Sequence, residues 1–456
     1  MTNTKCSKVL VIGAGLAGSE AAWFLASRNI KVVLVEAKTK KLNPAQKIKT
    51  FAELVCTNSL KSSDPDSAHG LLKGEMTALG SIVIEQGKLT SVPAGNALAV
   101  DREKFSLAIT EKLKSNQNIQ IIEEEVDDPF EFAKKFECEE IIIATGPLTT
   151  TPLEQWIQKS LSEDDFYFYD AIAPVVDADS LDTSKMYFKD RYKDVDDEVE
   201  ADYLNVALNE EQYNKFVTEL INAEKVKAQN FEEYKFFESC LPIDTMAERG
   251  VDTPRYSCMK PVGLRTPDGE APYAVVQLRR ENLLGSAYNM VGFQTRLTYG
   301  EQLRVFRMLP GFENASFNHL GSVHRNSFLN SKELLNFDLS SKKYPNLYFA
   351  GQITGVEGYT ESASMGLYVA SQIFRKRNGK ESYKWPFETA IGALVNYIMT
   401  VPKPCPSNIN FGLLPSVVLE KHERRSKLKK KIKKEKAALR AREVFSEFKS
   451  EVVGEL

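Results

Sequence analysis

The sequence predicts an α/β fold in which a sheet of parallel strands is interrupted by an inserted α+β unit. Near the start, apolar residues 9–12 lead through a glycine-rich loop into a helix and a second apolar strand. Another fully apolar run follows at residues 141–144, and a similar strand returns late, at 346–351. Short, wholly apolar strands next to helices are typical of parallel sheets, because both faces of such a sheet are covered.

Three glycines, Gly13, Gly15 and Gly18, lie between the first strand and its helix in a G-x-G-x-x-G pattern. The first glycine allows a tight turn, the second a close approach to a pyrophosphate, and the third close packing of helix on strand. Glu36 ends the next strand, where a carboxylate accepts hydrogen bonds from a ribose. A tight turn without a ligand is the alternative. The predicted Rossmann-like dinucleotide site comprises Gly13, Ala14, Gly15, Leu16, Ala17, Gly18 and Glu36.

Two further segments end at the same edge of the predicted sheet. The strand at 141–146 finishes in Ala-Thr-Gly, and the strand ending at Gly351 continues through Gln352 and a glycine-rich loop into a helix near Thr360. Open α/β sheets bind ligands at the carboxyl ends of their strands. A flavin needs contacts to both its adenosine half and its ring half, so the pattern favours FAD, with Gly351 and Gln352 among its contacts.

The remaining elements follow from periodicity and from β-branched or aromatic content. Helical spacing predicts helices over 68–79, 101–114 and 209–227. Strands are predicted at 119–122, 166–169, 186–188, 273–278 and 288–293, and a turn at 91–95. The chain therefore divides into a first FAD-binding part (1–149), an inserted substrate or RNA unit (150–340), a second FAD-binding part (341–415) and a basic C-terminal helix (416–456).

Composition narrows the class of protein. The 456 residues are 43% hydrophobic and 27% charged, as expected of a globular protein of two or more domains. No apolar run approaches a membrane span and no secretory segment is evident, so we expect a cytoplasmic protein without a membrane partner. The six cysteines are scattered and no C-x-x-C pair occurs, so we expect reduced thiols and no metal site.

The charge is unevenly distributed. Residues 421–436 contain ten Lys or Arg and two Glu, a net charge of +8, so the chain's total of −3 leaves −11 on the rest. One interpretation is a solvated helix. The other is an arm that binds the phosphates of RNA or DNA. The candidate contacts are Lys427, Lys430, Lys431 and Lys434.

Cys56 lies among small polar residues in the segment 51–61, close to the predicted flavin region. A buried core cysteine is the alternative, and it is common for this residue type. Residue chemistry alone leaves these two interpretations open.

The chain resembles the folate- and FAD-dependent RNA (uracil-5-)-methyltransferases, best known as tRNA T-loop enzymes. The resemblance extends from the first strand to the basic tail. The matching stretches are 13–18, 51–59, 91–95, 144–148, 166–173, 237–243, 259–264, 324–328, 349–362 and 410–414.

The resemblance implies an activity and its co-reactants. Methylenetetrahydrofolate donates a methylene group to the reduced flavin, NADPH or NADH supplies the electrons, and the product is 5-methyluridine. It assigns the chemistry to two thiols, since a thiolate adds readily to uracil C6 and makes C5 nucleophilic. Cys240 is the expected C6 nucleophile. Cys56 is expected to remove the C5 proton or to make a second covalent contact, although the roles of the two thiols could be exchanged.

Departures from the family pattern leave the RNA target open. Residues 43–49 lack the usual histidine-containing stretch, and Cys258 stands where proline is common. The tRNA T-loop uridine is the first expectation and a uridine of 23S rRNA the alternative, with no obligatory protein partner. Residues 349–359 also resemble larger FAD proteins that modify the tRNA wobble uridine. A non-methylating, flavin-dependent tRNA-binding protein is therefore a further alternative.

Overall fold

The computed structural model describes residues 7–40, 42–43, 46–161, 166–191, 201–226, 241–282, 284–402 and 406–453. The strands are β1 (Lys8–Ile12), β2 (Val32–Val35), β3 (Ser59–Ser62), β4 (Ser91–Val92), β5 (Ala97–Val100), β6 (Ile119–Ile122), β7 (Cys138–Ile143), β8 (Phe166–Ala171), β9 (Val175–Asp177), β10 (Tyr187–Phe188), β11 (Tyr203–Leu208), β12 (Ala274–Arg280), β13 (Ala287–Met290), β14 (Phe317–His319), β15 (Val323–Phe328) and β16 (Leu347–Phe349). The helices are α1 (Leu16–Ala26), α2 (Ala68–Ala78), α3 (Ile82–Leu89), α4 (Arg102–Ser115), α5 (Pro129–Lys135), α6 (Thr151–Leu161), α7 (Glu210–Asn222), α8 (Ile243–Arg249), α9 (Thr253–Tyr256), α10 (Tyr299–Phe306), α11 (Ser331–Leu334), α12 (Tyr359–Arg377), α13 (Ala390–Thr400), α14 (Lys421–Arg425) and α15 (Lys429–Val453).

A parallel sheet with the order β16-β7-β1-β2-β6 carries the larger hydrophobic core. The late strand β16 pairs with β7, so the end of the chain returns to the sheet that its start began. Helices α1 and α12 cross closely: a Cβ placed on Gly366 would lie 2.1 Å from the Ala17 carbonyl oxygen. This crossing brings the first turns of both helices to the carboxyl edge of the sheet, and the predicted α/β fold is confirmed.

A second sheet, antiparallel in the order β10-β11-β12-β13-β9-β14, carries a separate core. Helix α7 covers it with Tyr213, Phe216 and Leu220, all buried. A capping box at Asn209 starts this helix, since the Asn209 side chain accepts from the Gln212 backbone and Gln212 reciprocates. The β8–β15 ribbon forms a separate two-stranded sheet. The inserted region is therefore α+β, as predicted.

Two sequence predictions were wrong in detail. The predicted turn at 91–95 begins as a strand, because Ser91 and Val92 pair with β5. The helix expected to reach residue 227 ends at Asn222, where Ala223 adopts an extended conformation and Lys225 forms a bridge with Leu297 of the neighbouring segment. In both cases β-pairing outweighed local propensity; the partner is the next strand for Ser91 and a distant segment for Lys225.

The long helix α15 docks on the larger core through its second half. Phe445 and Phe448 are buried, and the Phe448 ring lies 5.2 Å from Trp385 and 5.1 Å from Tyr383. Among the described residues, no helix has both the length and the apolar content needed to cross a bilayer.

Candidate active site

Two glycines of the loop are required for close packing, and a third leaves the backbone open to a ligand. A Cβ on Gly13 would lie 2.6 Å from the Ala144 carbonyl oxygen, and one on Gly18 only 1.8 Å from the Gly13 carbonyl oxygen. A Cβ on Gly15, in contrast, meets nothing within 4 Å. Gly15 caps α1 without any side-chain hydrogen bond, so the first amide groups of the helix have no side-chain cap. The backbone is therefore open to a ligand at Gly15, where a phosphate would meet the helix N-terminus.

Two adjoining cavities form one elongated cleft over the carboxyl edge of the parallel sheet. The first, about 590 Å³, is lined by Gly13, Gly15 and Glu36, and the second, about 690 Å³, by Leu16, Ala17, Gly351 and Gln352. Both cavities share Gly15, Asn43, Gln46, Ala144, Thr145 and Leu148. Seven predicted cofactor residues therefore line one cleft. The other two, Ala14 and Gly18, lie in the same loop but do not line it.

Glu36 ties the loop to the end of β2. Its Oε2 accepts the Ala14 amide at 2.7 Å and its Oε1 accepts the Lys38 amide at 2.9 Å, and the side chain is buried. Each carboxylate oxygen retains a second lone pair. Glu36 therefore shapes the glycine loop and can also accept a ribose hydroxyl.

The loop that follows β2 closes over the cleft and is held by Glu53. The Lys38 Nζ lies 3.2 Å from Glu53 Oε2, and Glu53 Oε1 accepts the Lys47 amide at 2.8 Å. Lys38 and Glu53 are both largely buried, so their ion pair is shielded from solvent. No local pattern predicts this ion pair, since the loop lacks any regular period.

Cys56 lies beside the second cavity. Its Sγ is buried, 3.6 Å from the Ala171 carbonyl oxygen. Its backbone amide donates to the Tyr359 hydroxyl at 2.7 Å, and the Thr57 amide donates to the same oxygen at 3.1 Å. Tyr359 lines the cleft together with Val55. Burial, with the nearby Cys56, raises the pKa of Tyr359 far above its usual value, so its hydroxyl stays protonated.

Two arginines hold the Cys56 segment: Arg102, which is partly buried, and Arg279, which is buried. Arg102 donates to the Leu54 carbonyl oxygen at 3.0 Å and forms a two-point ion pair with Glu281, at 2.8 and 2.9 Å. Arg279 donates to Asn58 Oδ1 at 2.8 Å. Burial opposes the charge of Arg102, but the Glu281 carboxylate outweighs it and raises the pKa of Arg102. Arg102 and Arg279 therefore hold residues on both sides of Cys56 in place.

The other described thiols differ from Cys56 in their surroundings. Burial raises the pKa of Cys138 to about 11 and that of Cys258 to about 12, so both stay protonated near neutral pH. The predicted nucleophile Cys240 lies outside the described residues, just before Leu241 and the start of α8.

The four predicted RNA contacts lie apart from the cleft. They are exposed on α15 and on the turn before it: Lys427, Lys430, Lys431 and Lys434. None of these four lysines lines either cavity.

Comparison with known proteins identifies the family. The sequence profile of the family described as glucose inhibited division protein A matches residues 8–381. The methylenetetrahydrofolate–tRNA-(uracil-5-)-methyltransferase TrmFO of Enterococcus faecalis is 49% identical over 423 residues, which is 91% of this chain and 95% of that protein. TrmFO of Aquifex aeolicus is 50% identical over 433 residues, 94% of each chain.

The chain belongs to the TrmFO family. The resemblance found in the sequence motifs is thus confirmed over nearly the whole length. Among solved structures, Aquifex aeolicus GidA superimposes with a TM-score of 0.66 at 17% identity, covering 96% of this chain and 73% of that one. This likeness shows a shared fold between the TrmFO family and a longer protein.

Sequence reasoning missed three residues that build the site: Tyr359, Arg102 and Glu281. Tyr359 lay inside a matched stretch, and its position at the start of a helix beside a glycine loop was the available signal. Arg102 and Glu281 are 179 positions apart and carried no signal at all.

Proposed function

We propose that this protein methylates C5 of a uridine in tRNA, with methylenetetrahydrofolate as carbon donor and FAD reduced by NADPH or NADH. The near full-length identity of 49–50% to TrmFO proteins carries the proposal. The cleft fits the cofactor, because it is elongated, opens at Gly15 and meets the uncapped start of α1.

The chain's residues divide the cofactor between the two cavities. The N-terminal amides of α1 hold the pyrophosphate, Glu36 the adenosine ribose, and Gly351 and Gln352 the ring half. When bound, the reduced flavin and the folate supply the one-carbon unit and the electrons that complete the methyl group. The inserted unit, residues 150–340, presents the RNA uracil to this edge of the cleft.

Two thiols do the chemistry on the uracil. The Cys240 thiolate adds to C6, and the electron pair of the C5=C6 bond moves to C5, which becomes nucleophilic toward the one-carbon unit. Cys56 removes the proton from C5, and expulsion of the Cys240 thiolate restores the C5=C6 bond. Arg102 holds the Leu54 carbonyl group and Tyr359 holds the Cys56 amide, so the thiol keeps its position.

Mapping of the methylated base tests the proposal. Purified protein is incubated with FAD, NADPH, isotopically labelled methylenetetrahydrofolate and either an unmodified tRNA transcript or a 23S rRNA transcript. We expect labelled 5-methyluridine in the T loop of the tRNA. Label found only in the rRNA transcript would show that rRNA is the substrate and that the methylation chemistry is as proposed. Oxidation of NADPH without label in either RNA would refute methyl transfer.

A further inference from the structure

Helix α15 has two parts with different surroundings. From Ala437 onward it is docked, with Ala437, Ala438 and Ala441 buried along with two phenylalanines. The residues before Ala437 are mostly exposed. We call residues 427–434 the basic arm, a segment with six lysines and no acidic residue. All six lysines are exposed.

The docked part of α15 fixes the arm to a defined region of the molecule. Arg442 donates to the Pro65 carbonyl oxygen at 3.0 Å and lies 3.1 Å from Asp66 Oδ1. Asp66 follows β3 and lies only ten residues after Cys56. At a rise of about 1.5 Å per residue, Lys434 is roughly 12 Å along the helix axis from Arg442. The helix that carries the arm is therefore anchored to the loop between β3 and α2.

A second contact supports the base of the arm. Lys436 forms an ion pair with Glu423 of α14 at 2.7 Å, and Arg440 donates to the Ser416 carbonyl oxygen at 3.2 Å. The helix is thus held on two sides immediately after the arm. A lysine-rich segment on such a support presents its charges at fixed positions, in contrast to a free tail.

The arm lacks the charge pattern of an ordinary solvated helix. Such helices pair Glu and Lys four residues apart, whereas like charges at that spacing destabilise the helix. In the part of the chain that the structure describes, the one ion pair of the arm joins Lys431 to Glu435 at 3.8 Å. Lys430 and Lys434 repel each other at i,i+4, as do Lys429 and Lys433. The clustered lysines of the arm do not stabilise the folded helix. An anionic partner that binds them would explain why they are present.

We propose that the basic arm binds the sugar–phosphate backbone of the RNA substrate outside the cleft, while the target uridine enters the cleft. The inference rests on the proposed function. Lys430, Lys431 and Lys434 are neighbours on the first turns of α15, and Lys427 lies on the turn before it, so the four lysines can follow a strand of phosphates. Ammonium groups on flexible stems contact phosphates without reading bases. The arm therefore adds affinity through counterion release and is indifferent to sequence.

The test is direct RNA binding across a salt series. In the arm variant, Lys427, Lys430, Lys431 and Lys434 are changed to Gln; in the control, four dispersed exposed lysines are changed in the same way: Lys88, Lys159, Lys215 and Lys380. Both variants lose four positive charges. The dissociation constant is measured by fluorescence anisotropy with unmodified tRNA and 23S rRNA transcripts, and circular dichroism checks helix content.

We expect the arm variant to bind the substrate RNA at least about tenfold more weakly at low salt, with a salt slope smaller by about 3, as four lost phosphate contacts predict. The control should stay within about twofold of the wild type. At saturating RNA, kcat should be unchanged and KM raised. If the two variants had equal dissociation constants and equal salt slopes, the proposal that the arm binds RNA would be refuted.

The two proposals fail separately. If the wild type binds RNA through the arm but forms no 5-methyluridine, the arm stands and the methylation proposal falls. If the wild type forms 5-methyluridine and the arm variant binds as the control does, the arm is refuted while the activity stands.

Discussion

The hydroxyl oxygen of Tyr359 accepts the backbone amide of Cys56 at 2.7 Å, joining two residues 303 positions apart in the chain. This contact links the thiol-bearing loop to the first residue of α12. It therefore fixes Cys56 against the ring half of the proposed flavin site.

The variant Tyr359→Phe should show whether Tyr359 positions Cys56 for catalysis or only stabilises the fold. It removes the acceptor of two amides, which we expect to cost about 2 kcal/mol of unfolding free energy and to slow methyl transfer more than tenfold. The matched control is Tyr368→Phe on the same helix, which loses one hydrogen bond to the Phe337 carbonyl oxygen at 2.6 Å. Denaturant unfolding and single-turnover methylation measure the two effects. Equal methylation rates in both variants would show that Tyr359 only stabilises the fold.

The glycine loop should divide into packing and binding positions. Gly18→Ala places a Cβ against the Gly13 carbonyl oxygen, so we expect the loss of several kcal/mol of stability. The Cβ added by Gly15→Ala would lie in open space, so the free energy of unfolding of the unliganded variant should be within about 0.5 kcal/mol of the wild-type value. Its added methyl should weaken FAD binding, measured by flavin fluorescence titration. A Gly15→Ala variant that binds FAD normally would contradict the proposed pyrophosphate position.

The two proposed catalytic thiols should respond differently from a third. Cys240→Ala should keep bound flavin and its reduction by NADPH, yet form no 5-methyluridine. Cys56→Ala should slow methylation by about a hundredfold or more, as loss of a proton-transfer group does. Cys138→Ala is the control, because Cys138 lies outside the cleft lining and its pKa is raised. Normal turnover by the Cys240→Ala variant would exclude that residue as the nucleophile.

Glu75 should make stability depend on pH. It is fully buried and accepts the Ala390 and Ile391 amides at 2.6 and 2.9 Å, at the start of α13. Burial raises the pKa of Glu75 from 4.5 to about 8 despite these bonds. A raised folded-state pKa contributes stability that is complete below pH 4.5 and is lost as the pH rises toward 8.

Glu75→Gln should remove that dependence. Relative to the wild type, the variant should gain a few kcal/mol of unfolding free energy between pH 5 and pH 9, since one pKa unit corresponds to about 1.4 kcal/mol. The control Glu103→Gln alters an exposed side chain and should show no such trend. Parallel curves for Glu75→Gln and the wild type would mean that Glu75 is ionised throughout this range.

Much of the fold could be predicted because its signals are local. The strands and helices around Gly13, the helix over 68–78 and the strand at 119–122 all follow from patterns within about a dozen residues. The two element predictions that were wrong lie at Ser91, which pairs with Val100 of the next strand, and beyond Asn222, where Lys225 pairs with the distant Leu297. Whether the chain forms a strand, a turn or a further helical turn at such a position depends on the segment that pairs with it.

The candidate site divides in the same way. Local patterns were enough to predict the parallel α/β unit, the dinucleotide loop and the basic charge of the tail, since each depends on residues that are neighbours in the chain. The folded chain alone shows that Tyr359 and Arg102 flank Cys56 and that Arg442 anchors the basic arm beside Asp66. These contacts join residues 48 to 376 positions apart. No local pattern encodes them, because they arise only when separate elements pack against a common core.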